Sequence, residues 1–239
     1  MALKVGGRVS VCQLPTVLDT KRFALFALLA VVGGCKGHAS IADAASDSES
    51  TFSHGQVAAM HTPLGWVAGT SVHRDLGTNS WVPFSPPNES GTVLAFYYRG
   101  LPIGTQATKA FRDVLAAPPH TLSPTELTAI GAVLRSQPQE SSFPLREAET
   151  RDLHGKRIVL LEGHYLESGE DVLHLFVDAS PSEERSAVQE IIFQAKPEAF
   201  ARYRDVVQAS LASIVWVGVS SGPEAPGNLF AAPGAHVTL

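Results

Sequence analysis

Between residues 145 and 195 the chain carries four runs of strand-forming residues, at 145–152, 157–166, 172–178 and 188–195. Short polar breaks join them, "LHGK", "ESGED" and "ASPSEERS", with Gly155 supplying the first turn. Antiparallel strands are linked by tight turns, whereas parallel strands need a long crossover, usually a helix. The four runs therefore read as an antiparallel meander. Pro197 then opens a helix in which Phe200, Tyr203, Val207, Leu211 and Ile214 recur at helical spacing. A continuous apolar stripe has to cover a sheet face, so the fold class is α+β, an antiparallel β-sheet packed against helices.

Upstream, apolar islands at Trp66, Val67, Val72, Trp81, Val82 and Phe84 are broken by glycines and prolines, as in short strands joined by turns. Residues 92–99, "TVLAFYYR", form the first full strand. Thr105 is placed to cap a helix running to about Ala116, with Ala107, Phe111, Val114 and Leu115 on one face, and Pro118-Pro119 ends it. Ser123-Pro124-Thr125-Glu126 is a capping box with proline at the first helical position, and Leu122 and Leu127 have the spacing of a hydrophobic staple. Leu127, Ile130 and Leu134 carry the apolar face of this second helix.

This order, with "RDLHGKRIVLLEGHYLE", "LHLFVDA", "VQEIIFQA" and "FARYRDVVQASLASIVW", resembles the PsbP/Mog1-like domains, some of which occur in small bacterial lipoproteins. The resemblance implies an α/β sandwich acting as a binding or assembly module. It transfers no functional residue.

The amino-terminal part carries different information. Lys21-Arg22 precede a ten-residue apolar core at 23–32, followed by Gly33-Gly34-Cys35. These are the parts of an export signal. A membrane-spanning helix needs roughly 20 apolar residues, about twice what is present. Val32-Gly33-Gly34-Cys35 resembles the lipobox of bacterial lipoproteins, which implies that Cys35 is lipidated and becomes the first residue after cleavage. One acyl chain binds a membrane only marginally, and the two or three chains of that family meet the need for more. Lys36, where an aspartate would resemble an inner-membrane retention signal, favours an outer-membrane address facing the periplasm. The expected organisation is a signal peptide at 1–34, a small, polar, acidic tether at 35–55, a globular domain at 56–217 and a Gly/Pro-rich tail at 218–239.

Charge narrows the partners. The formal net charge is −5, and without residues 1–34 the balance is 14 basic to 22 acidic side chains. An acidic surface repels phosphate backbones, so no nucleic-acid partner is expected. The membrane, through lipidated Cys35, is the expected partner, with an envelope protein or a small ligand for the domain. No cofactor is implied.

Two groups of residues invite a catalytic reading. Gly218-Val219-Ser220-Ser221-Gly222 matches GxSxG, but a nucleophile elbow needs a helix after the serine and an acid and a histidine downstream. Here Pro223 and a glycine-proline tail follow, with Glu224 the only acid left and His236 three residues from the end. The second group is "LEGHYLESGEDVLHLF", with Glu162, His164, Glu167, Glu170, Asp171 and His174. If its turn uses five residues, His164 lies opposite His174 and Glu162 shares their face, two imidazoles and a carboxylate able to ligate a metal. A turn one residue shorter breaks that register. The competing expectations are a metal-assisted hydrolase built on Glu162, His164 and His174, or polar residues on the solvated side of a sheet in a domain that catalyses nothing.

Overall fold

The computed structural model describes residues 50–74, 79–135, 142–181 and 186–219. Eleven strands and three helices follow in chain order. They are β1 (Thr51–His54), β2 (Val57–His61), β3 (Val67–Ala68), β4 (Val72–Arg74), β5 (Asn79–Ser85), β6 (Val93–Leu101), α1 (Gln106–Ala116), α2 (Pro124–Ile130), β7 (Leu145–Leu153), β8 (Lys156–Tyr165), β9 (Glu170–Asp178), β10 (Ser186–Ala195), α3 (Pro197–Leu211) and β11 (Val215–Trp216). The domain is α+β, and every strand pairing within it is antiparallel.

The expected meander is present as β7-β8-β9-β10. Beyond it the sheet continues through β6 and β5 to β3 and β4, eight strands in all. The local signals for the helices act as read. Thr105 accepts from the Thr108 N–H at the start of α1. Ser123 and Glu126 form the capping box of α2, with Pro124 inside the first turn.

Cross-strand partners share a face, and the registers divide the large sheet into two. One face carries Leu160, Leu173, Leu175, Ile191 and Phe193 and packs against Phe200, Val207 and Leu211 of α3. The other carries Val159, Leu161, Val172, Phe176 and Val188 and packs against Phe111 and Val114 of α1 and Leu127 and Ile130 of α2. The central strands are thus buried on both sides, which explains why they read as nearly unbroken apolar runs rather than as alternation.

Gly163 shows how tightly one layer sits. A Cβ there would lie 2.7 Å from Cζ of Phe143 and 2.9 Å from the Pro144 carbonyl oxygen. The chain at 143–144 therefore passes directly over β8, and only glycine leaves room. At the edge of the sheet, β7 is partly covered by the segment before α2. The Leu122 N–H donates to Ala148 and the Thr150 N–H to His120, each at 2.8 Å.

A second, three-stranded sheet has the order β1-β2-β11. It moves the expected start of the domain from residue 56 to about residue 50, because β1 lies in the stretch read as tether. The reason is Phe52, whose ring stands edge-on to Phe84 at 4.9 Å and tilted on Phe96 at 4.7 Å. One aromatic side chain anchors an otherwise polar segment. Trp216 closes the sheet from the other end, 2% exposed, its Nε1 donating to the Leu153 carbonyl at 2.7 Å.

Candidate functional site

The register of β8 on β9 decides the fate of the three residues read as a metal site. Tyr165 pairs with Glu170, so the turn uses four residues, 166–169, and not five. His164 then lies opposite Asp171, and His174 opposite Leu161. Because side chains alternate across a strand, this one-residue difference sends His174 to the α1/α2 face, while Glu162 and His164 face α3. The sheet itself separates them. The Glu162, His164 and His174 site is therefore not formed, and no group of three or more His, Cys, Asp or Glu placed to hold a metal occurs among the described residues. Nor do Glu162 and His174 lie on a solvated side, because both faces are covered there: Glu162 is 3% exposed and His174 2%, whereas the His164 side chain is 25% exposed.

On the α3 face the polar groups form an ion-paired network near the edge strand. Asp171 accepts from Arg146 Nη2 at 2.7 Å and faces His164 Nδ1 at 2.8 Å. Glu162 lies 3.8 Å from Arg146 and 3.9 Å from Arg204 of α3. Arg151 joins Glu147 and Glu149 on β7, and burial together with the Glu149 charge raises the Glu147 carboxyl above its ordinary range. The network ties the bulged start of β7 to the middle of α3.

The α1/α2 face holds a more deeply buried constellation that the sequence reading did not single out. Glu190 of β10 is 0% exposed. Both its oxygens accept from Nη2 of Arg135, at 2.7 and 2.6 Å. Nδ1 of His174 lies 3.1 Å from Oε1, and Nε of Arg99 lies 3.7 Å from Oε2. Tyr165 extends the chain of contacts, its hydroxyl 3.4 Å from Nε2 of His174. Burial opposes ionisation of Glu190, yet the His174 hydrogen bond and the Arg135 charge hold its carboxyl down at about 2. Burial lowers Arg99, whereas in Arg135 the Glu190 charge overcomes burial and raises it.

Glu190 and the three residues that contact it come from four places in the chain. Arg99 ends the "FYYR" run on β6, Glu190 sits opposite Tyr97 and Phe176, and His174 reaches in from β9. Arg135 follows α2 with a φ of 58°, a left-handed conformation uncommon for a non-glycine residue. Its guanidinium stands 5.3 Å from the Tyr97 ring centroid, and Tyr97 in turn meets Trp81 edge-on at 6.1 Å. Arg99 donates through Nη2 to the Val133 carbonyl, but its buried Nε has no hydrogen-bond partner. A signal for Glu190 exists in "VQEIIFQA". Glu190 shares this strand with Val188, Ile191, Ile192 and Phe193, apolar residues that fall on both faces, so its carboxylate has to be buried, and a buried charge demands partners.

Cys35 lies outside the described residues. So do Ser220, Ser221 and Gly222 of the GxSxG match. A cavity of about 160 Å³ lies beside His154, Ser213, Ile214, Trp216 and Val219, apart from both charged networks.

No family model and no curated protein matches the chain. Among solved structures it is similar to the solution structure of cyanobacterial PsbP (CyanoP) from Synechocystis sp. PCC 6803, at 15% identity. The alignment covers 77% of this chain and 98% of that one, with a TM-score of 0.43.

Proposed function

We propose that this chain is a lipid-anchored protein of the bacterial cell envelope whose α+β domain is a non-catalytic binding or assembly module. The observation that carries the first half is Val32-Gly33-Gly34-Cys35 directly after a basic pair and a ten-residue apolar core. No helix of the described residues is long and apolar enough to cross a membrane. Attachment rests on the acyl chains of Cys35, with the outer membrane, facing the periplasm, as the expected address. The second half is supported by where the ionisable groups lie. Glu190, His174, Asp171 and Glu162 are each engaged with other side chains of the same domain. Groups held in such mutual pairs fix the fold and are poor candidates to turn over a substrate.

Growth with labelled palmitate tests the anchor. Label enters the wild-type protein and is absent from Cys35→Ala, and label retained at the wild-type level in the variant would sink the reading. Crosslinking in intact cells tests the module: an envelope protein recovered reproducibly in stoichiometric amount supports assembly.

A further inference from the structure

Among the described residues, the buried constellation on the α1/α2 face holds two arginines, Arg99 and Arg135, to one carboxylate, Glu190. Arg99 keeps a buried Nε without a hydrogen-bond partner. Arg135 is 43% exposed in its side chain, so the surplus positive charge reaches the surface there. Its backbone is also held in the left-handed region, where glycine or asparagine would sit more easily. An arginine that pairs with a buried carboxylate while 43% of its side chain is exposed is placed to meet a further anion.

An apolar row leads away from that charge. Val72 of β4 pairs with Trp81 of β5, Trp81 with Tyr97 of β6, and Tyr97 with Glu190 of β10. Cross-strand partners share a face, so the four side chains form one line across the sheet. Val72 is 42% exposed at its outer end, and Val67, on the same face of the same edge, is 56% exposed. The line thus runs from exposed valine through indole and phenol to a guanidinium with charge to spare.

We propose that this row is the docking surface for a protein partner whose contacting segment places an acidic side chain on Arg135 and apolar side chains along Tyr97, Trp81 and Val72. The choice of occupant rests on charge complementarity: a carboxylate completes the two-to-one balance, whereas a basic segment meets the surplus as a like charge. Aromatic and arginine side chains are also the usual anchors of protein interfaces. The inference deepens the binding-module reading and depends on it. It does not depend on the lipid anchor.

The test uses the full-length protein and two short peptides, one alternating glutamate with leucine and one alternating lysine with leucine. Binding is read from tryptophan emission, with Trp81→Phe identifying the responding indole. The acidic peptide should bind at least about tenfold more tightly than the basic one. Val72→Asp, a change at an exposed edge position, should weaken acidic-peptide binding by about tenfold, while Leu166→Asp on the distant β8–β9 turn should leave it unchanged. Arg135→Lys should reduce the preference for the acidic peptide. Should circular dichroism show that variant unfolded, Val72→Asp and Leu166→Asp decide alone. Equal affinity for the two peptides, or equal loss in the two aspartate variants, overturns the proposal. So does binding of the Cys35→Ala protein to phosphatidylglycerol vesicles that Val72→Asp abolishes, since that assigns the row to a bilayer. A preserved peptide preference with no palmitate on Cys35 would leave the docking surface standing and remove the anchor, so the two readings fail separately.

Discussion

Glu190 concentrates the energetics of the domain in one side chain. It has no exposure, and its neighbours are Arg135, Arg99 and His174. A buried ion pair adds little net stability over apolar packing, but removing one member leaves the other charged and desolvated. Glu190→Gln is therefore expected to destabilise the domain by about 3–5 kcal/mol in urea unfolding. The pH dependence has a definite sign. The folded carboxyl, held at about 2, lies below its unfolded value, so its contribution is fully present above the ordinary glutamate range near 4.5. It is lost as pH falls from there towards 2, and it is of order 3 kcal/mol. Unfolding midpoints measured from neutral pH to strong acid should show that loss in the wild type and a much flatter profile in Glu190→Gln.

At the scale of elements, the meander, the capped starts of α1 and α2 and the stripe of α3 were legible because each depends on residues close in sequence. Ser123→Ala removes the side-chain acceptor of the α2 cap and should cost about 1 kcal/mol in thermal unfolding. Gly163→Ala tests packing instead. Its new methyl group meets Phe143 and Pro144 at once, so a loss of about 1–3 kcal/mol is expected by the same measurement. What the sequence hid was register. A turn of four residues rather than five at 166–169 is indistinguishable in composition, yet it decides on which side of the sheet His174 emerges. The Glu190 constellation was hidden for a related reason. Its members are up to 91 residues apart, from Arg99 to Glu190, and meet only because β10 pairs with β6. The apolar residues of 188–195 fall at both odd and even positions, which carried the clue that both faces are covered, and the solvated-side reading missed it.

Over the whole molecule, the large sheet separates two cores, and the small sheet gathers the two ends of the described domain. Ser50 accepts a hydrogen bond from the Thr62 N–H at 3.1 Å just before β1, and β11 flanks β2 from the other side. The two ends therefore reach the same sheet on opposite edges, about two strand spacings or ~10 Å apart. That placement has a mechanical consequence. Tension applied through residue 50 arrives at β1, a four-residue edge strand paired only with β2. Pulled in a single-molecule instrument, the domain should yield there first, peeling β1 from β2 while the eight strands of the large sheet stay joined. A later, larger event should mark rupture of that sheet. A protein hung from a surface by its amino end would then meet each tug with one short edge strand, sparing the sheet that holds its cores.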